Sequence, residues 1–207
     1  MSDPYAGIRV LDLSDRLAGA FAARLFGDFG AEVILAEPPD GHPIRHEPPF
    51  LDNRPGPDRG VLHAYVNWNK HSVVVRNSDE LDELVASADV VVTTSANQEG
   101  DVFAAIARNG PSDLIHLSIT PHGLDGPLAD TAGNNLTACA RMGWSYVNVL
   151  QDEPPLQLPN RICGYVAGIN GFLGAAAALL QRTRTGCGEH IDVSKESLAL
   201  TCHPWTI

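Results

Sequence analysis

Gly7-Ile-Arg-Val-Leu-Asp-Leu13, Ser14-Asp-Arg16, Leu17-Ala-Gly-Ala-Phe-Ala-Ala-Arg-Leu-Phe-Gly-Asp-Phe29, Gly30 and Ala31-Glu-Val-Ile-Leu-Ala36 follow one another near the start of the chain, and their reading decides the fold. The first run is short and β-rich, and Ser14-Asp15 behind it can cap a helix, whose first-turn amides need an acceptor. Leu17, Phe21, Leu25 and Phe29 recur every four residues and so share one helical face. Gly30 stands where a left-handed C-terminal cap is wanted. Ala31 to Ala36 then reads as a buried strand. A strand reached through one crossover helix pairs most simply in parallel with the strand before it, as a right-handed βαβ unit.

The same alternation resumes further on. Prolines and glycines crowd between Glu37 and Gly60, removing amide donors, so this segment is expected to be a long surface loop. After it come a strand at Ser72 to Val75, a helix at Ser78 to Ser87, a strand at Asp89 to Thr93, a helix at Val102 to Asn109 and a strand at Leu114 to Ile119. The last third reads as a helix at Asn134 to Gly143, a Gly/Ala-rich helix at Gly164 to Arg184 whose small residues permit close packing, a turn at Thr185-Gly-Cys-Gly188 and a strand at His190 to Val193. A further helix is expected after Ser194. The fold class is therefore α/β, a doubly wound, Rossmann-like parallel sheet flanked by helices.

Composition bounds what such a fold can do. A length of 207 residues suits one domain, and 44% hydrophobic with 19% charged residues is the balance of a globular chain rather than a disordered one. The net charge of −11 opposes phosphate backbones and anionic lipid, so neither nucleic acid nor a membrane is expected as partner, and an anionic ligand would need local cations. The apolar run from Gly171 to Leu180 is about half the length a bilayer crossing requires. Cys139, Cys163, Cys187 and Cys202 form no CxxC pair, and no signal segment opens the chain; reduced thiols in a cytoplasm are expected.

Several chemistries lack their motif. Ser14 to Gly19 does not have the GxGxxG spacing that lets a backbone approach a pyrophosphate, although Glu37 would suit a ribose contact. No GxSxG elbow is present. No cluster of cysteine and carboxylate has ligand spacing, and the one HxxxH pair, His42 and His46, spans Pro43 in the proline-rich segment, so no metal is expected. Asn67-Trp-Asn-Lys-His-Ser72 places a cation and hydrogen-bond donors just before a strand. Ser118-Ile-Thr-Pro-His-Gly-Leu-Asp-Gly-Pro127 is a rigid loop at the carboxyl edge of the sheet, where ligands of α/β proteins bind.

In this order the segments Gly7 to Leu13, Leu17-Ala-Gly19, Phe29-Gly-Ala-Glu-Val-Ile34, Glu37-Pro-Pro39, Asn69-Lys-His-Ser72, Ser118-Ile-Thr-Pro121, Gly123-Leu-Asp-Gly-Pro127 and Thr185-Gly-Cys-Gly-Glu-His-Ile-Asp-Val-Ser194 resemble the N-terminal half of the class III CoA-transferases. This is the CaiB/BaiF group, which includes formyl-CoA transferase and α-methylacyl-CoA racemase. The resemblance implies that residues 1–207 form the N-terminal part of a large CoA-binding domain. A small domain and a C-terminal return would lie outside the chain, and two subunits would interlink as a homodimer or as a heteromer with a homologous chain. Coenzyme A is the implied ligand, with Arg16, Leu17, Ala18, Lys70 and His71 around it and Lys70 foremost. Acyl-CoA and a carboxylic acid are the implied reactants.

The departures from the family pattern bear on chemistry. Transferases of the group use an aspartate nucleophile at the start of the helix leading to the Thr-Gly-x-Gly turn, and the match places that position at Gly164. The histidine of the racemase branch falls on Asn134. Asp152, Glu153, Glu189, Asp192 and Glu196 are the nearest replacement carboxylates in sequence. Two other readings stay open: a non-catalytic acyl-CoA-binding subunit paired with an active homologue, and a nucleotide-binding oxidoreductase.

Overall fold

The computed structural model describes residues 3–147 and 152–194. Six strands form one sheet: β1 (Arg9–Asp12), β2 (Glu32–Glu37), β3 (His71–Val74), β4 (Val90–Thr93), β5 (Ile115–Thr120) and β6 (Glu189–Ser194). Their order is β3-β2-β1-β4-β5-β6, and every neighbouring pair is parallel. The direction of winding reverses between β1 and β4, so the crevice at their carboxyl ends is where a doubly wound sheet accepts a ligand.

Helices α1 (Leu17–Asp28), α2 (Val61–Asn67), α3 (Ser78–Ala86), α4 (Asp101–Asn109), α5 (Asn135–Arg141), α6 (Trp144–Val147) and α7 (Ile162–Thr185) complete the fold. One face of the sheet packs on α1 and α7 through Val10, Ala22, Phe26, Leu117, Ala167 and Ala175. The other face packs on α3 and α4 through Leu11, Leu81, Val85, Val91 and Ala105. Central strands covered on both faces need apolar residues throughout. Accordingly, all of β4 is buried.

Helix α1 stops as its sequence requires. Gly30 adopts φ +97°, its N–H bonds to Gly27 O at 3.1 Å, and the Ala31 N–H bonds to Phe26 O at 3.0 Å. That is the Schellman arrangement, which needs a residue without Cβ strain at Gly30. The buried face differs from the expected one. Phe29 is 46% exposed, whereas Ala18, Ala22, Ala23 and Phe26 face the core. Small residues win because α7 lies almost against the α1 backbone: a Cβ added at Gly168 would sit 2.7 Å from Ala18 O.

Other expectations shift by a residue or two, apart from three. Helix α2 rises from the end of what the prolines marked as loop. The expected cap at Ser14-Asp15 is not formed, since Arg16 is the N-cap residue of α1 and contributes no side-chain bond. Helix α7 is 24 residues long and holds an 18-residue stretch with a mean hydropathy of 1.6, long and apolar enough by those measures to cross a bilayer, in contrast to the shorter run read from sequence. Here its inner face is core. The helix expected after Ser194 lies outside the described residues.

Candidate functional site

The loop after β1 is held from two sides. The buried His42 ring bonds through Nε2 to Ser14 O at 2.8 Å while Nδ1 accepts the Ile44 N–H at 3.1 Å, so Nε2 carries the proton. Burial lowers the His42 pKa and favours this neutral form. From the other side, the Asp15 N–H bonds to Thr94 Oγ1 at 2.9 Å, and that hydroxyl donates to Asp15 Oδ1 at 2.6 Å. Arg16, at the head of α1, is thereby presented outward with its side chain 56% exposed.

Beneath the loop lies a buried ion pair. Lys70 Nζ sits 2.7 Å from Asp12 Oδ2, 2.7 Å from Ala20 O and 2.7 Å from Asn67 Oδ1. Three acceptors use all three ammonium hydrogens. The side chains of Lys70 and Asp12 are 1% and 0% exposed. Burial lowers the Lys70 pKa, with the Asp12 charge opposing that shift. Lys70, the residue expected to lead in CoA binding, thus has no hydrogen left for a ligand and joins β1, α1 and α2 instead. His71 is exposed at the start of β3 and does not line the cavity described below.

Glu37 is likewise committed. Arg45 grips its carboxylate from two nitrogens at 2.6 and 2.7 Å, the His42 N–H adds a bond at 2.8 Å, and Ser72 Oγ adds another. Burial alone would raise the Glu37 pKa, but these donors outweigh it and hold the carboxyl at about 2. A ribose contact from Glu37, the one feature that favoured an oxidoreductase, would have to break this cluster.

A cavity of about 470 Å³ opens at the carboxyl edge of the sheet. Arg16, Leu17 and Ala18 line it from α1, Thr120 and Pro121 from the end of β5, Asn134 from the head of α5 and Gly164 from the first turn of α7. Sequence reading had named five of these positions separately, and the fold brings Arg16, Leu17, Ala18, Asn134 and Gly164 into one site. Asn134 Oδ1 accepts the Leu136 and Thr137 N–H groups at 2.9 and 3.1 Å, closing a capping box with Thr137. Its carboxamide therefore works as a helix cap, a role a histidine would fill poorly.

Gly164 has room for little else at its present spacing. A Cβ built there would lie 3.0 Å from Leu17 Cδ2. The carboxylates that do line the cavity are Asp15 and Glu47, and Glu47 pairs with Arg161. Of the suggested replacements, none of Asp152, Glu153, Glu189 and Asp192 lines it, and Asp192 Oδ2 is occupied by the Leu124 N–H at 2.8 Å. Glu196 lies outside the described residues. Glu47 and Arg161 went unnoticed in the sequence because they are 114 positions apart, one in a proline-rich loop and the other at a left-handed residue, φ 57°, before α7. Among the described residues no group of three or more metal-ligating side chains converges.

The architecture and cavity define a Rossmann-like protein with a crevice at the carboxyl edge of its sheet, and comparison with known proteins makes that more specific. The sequence profile of CoA-transferase family III matches residues 5–206, and the chain belongs to that family. It is 33% identical to the succinyl-CoA:glutarate CoA-transferase of Mus musculus over 96% of this chain and 47% of that one. It is 29% identical to the BbsE subunit of the succinyl-CoA:(R)-benzylsuccinate CoA-transferase of Thauera aromatica, over 97% and 51%. A CaiB/BaiF family protein from Brucella suis superposes with a TM-score of 0.89 at 26% identity, covering 99% of this chain and 56% of that one. The chain spans about half the length of the curated relatives it matches.

Proposed function

We propose that this chain supplies the CoA-thioester site of a CoA transferase that moves CoA between an acyl-CoA and a carboxylic acid. The observation that carries the reading is the convergence of Arg16, Leu17, Ala18, Asn134 and Gly164 on one cavity at the carboxyl edge of a family III fold. The exposed Arg16 guanidinium gives that cavity a cation suited to an anionic ligand, in a protein whose overall net charge is −11. Covalent transfer by the family route needs a carboxylate at the head of α7 to attack the thioester carbonyl, release the CoA thiolate as a mixed anhydride forms, and then carry CoA as an enzyme thioester. Gly164 supplies none. The chain therefore binds the thioester, and covalent turnover depends on a carboxylate from elsewhere.

A second reading has its own observation. One relative is named as a subunit, BbsE. Pairing with a homologous chain that retains the nucleophile would complete the reaction. Titration calorimetry of CoA and succinyl-CoA into the purified chain, run beside a transfer assay with a carboxylic acid acceptor, tests the proposal. Binding without turnover is expected. Turnover by the chain alone would overturn the role given to Gly164, and absence of binding by both ligands would overturn the thioester site.

A further inference from the structure

Cys139 and Cys163 meet beside the cavity but play no part in the reaction proposed above. Their sulfurs are 3.3 Å apart, and the two residues are 0% and 1% exposed. Cys139 lies on α5 and Cys163 in the first turn of α7, 24 positions apart in sequence. Asn135 fixes their relative placement: its Oδ1 accepts the Cys163 N–H at 3.2 Å and its Nδ2 approaches Cys139 Sγ at 3.7 Å. Ala138, Met142 and Trp144 pack around them, so the pair is preorganised rather than the chance meeting of mobile side chains. Asn135 and Gly164, which lie beside the thiols, both line the cavity although neither cysteine does, so an oxidant arriving from the cavity must pass between them.

The geometry points to a reversible disulfide between Cys139 and Cys163, formed by a peroxide, that ties α5 to the first turn of α7. A disulfide bond is about 2.05 Å long, so the sulfurs need close by only about 1.3 Å. Cys163, next to the cavity-lining Gly164, is the attacking thiol and gives up its proton in the step. Its sulfur attacks one oxygen of hydrogen peroxide, the O–O bond breaks, and hydroxide leaves and is protonated to water, giving a sulfenic acid. The Cys139 sulfur then attacks the sulfenic sulfur; the S–O bond breaks and a second water departs. Two thiols are oxidised, one peroxide is reduced to two waters, and a thiol reductant reverses the change. The bond joins the Asn134–Asn135 wall of the cavity to the Gly164 wall. This inference does not depend on which ligand the cavity takes.

The test is to treat the reduced, intact chain with hydrogen peroxide, alkylate it after unfolding, and map peptides without reductant. The expected result is one linked pair containing Cys139 and Cys163, lighter by two hydrogens and separated by dithiothreitol. Closing a loop of this size should also raise Tm by about 5–10 °C. A Cys187→Ser variant, which removes the exposed thiol among the described residues, should give the same link and the same rise. Full alkylation of Cys139 and Cys163 after treatment would overturn the proposal, as would a link that forms only when urea precedes the peroxide. Because the map reads the bond in the unaltered sequence, the result does not rest on whether a Cys163→Ser variant folds.

Discussion

Replacing Gly164 by aspartate puts a carboxylate where the family resemblance locates the nucleophile, and the structure says what this should cost. The new Cβ would stand 3.0 Å from Leu17 Cδ2, 3.4 Å from Cγ and 3.6 Å from Cβ, so the leucine must yield by a few tenths of an ångström. The nearest atom is the free end of a flexible side chain, and such a rotamer adjustment costs about 0.5–1.5 kcal/mol. Burying part of a carboxylate adds about 1–2 kcal/mol. Against this, a first-turn anion gains about 0.3–1 kcal/mol from the helix field, and losing a helical glycine returns a few tenths more. The net loss is about 1–2 kcal/mol, a fall in Tm of about 3–6 °C for a chain of this size. Gly164→Asp incubated with succinyl-CoA should then form a covalent CoA adduct visible by intact mass and released by hydroxylamine, whereas the parent chain and Gly164→Asn should not. A Gly164→Asp protein that melts within this range and binds succinyl-CoA, yet forms no adduct, would refute the assignment of position 164.

Other outcomes follow from the same geometry. Arg16→Ala should weaken succinyl-CoA binding about fivefold by calorimetry, ~1 kcal/mol, with Tm unchanged because the side chain is exposed and only loosely paired. Lys70→Met should lower stability by about 3–5 kcal/mol in urea titrations by stranding the Asp12 carboxylate, and Lys70→Met with Asp12→Asn should recover part of that loss. Acid should destabilise the fold in two overlapping ranges. His116 is held near pKa 3 by burial and by the neighbouring His190, below its usual 6.5, so the stability that goes with its neutral form is complete above about pH 6.5 and is lost as pH falls toward 3. Glu37, at about 2 rather than 4.5, contributes about 3 kcal/mol that is complete above pH 4.5 and lost as pH falls toward 2. Urea midpoints measured from pH 7 to pH 3 should therefore fall monotonically, and Glu37→Gln should flatten the lower part of the curve.

The sheet was legible because its signals are local: β1, α1 and β2 each carry their own periodicity, and Gly30 marks its stop unambiguously. The buried face of α1 was not, since it depends on how near α7 approaches, and that is set by Gly168 far along the chain. The cavity was half legible. Arg16 to Ala18, Asn134 and Gly164 could be placed by matching a family pattern, but Glu47 and Arg161 meet only through the fold. Lys70 shows the limit most clearly. A lysine in a loop beside asparagines looks the same in sequence whether it waits for a phosphate or closes on an aspartate, and only Asp12, 58 positions earlier, separates the two.

The burial of Lys70 has a consequence for chemical wear. Activated acyl thioesters modify accessible amines without any catalyst, so a protein with the proposed function would be exposed to its own ligand. The sequence contains only two lysines, Lys70 and Lys195, against twelve arginines. Lys70 is sealed with its nitrogen pinned between three oxygens, and the cations at the cavity, Arg16 and Arg161, are guanidinium groups that stay protonated and are poor nucleophiles. Under the proposed function, the positive charge at the cavity among the described residues is carried by guanidinium groups that a thioester does not acylate.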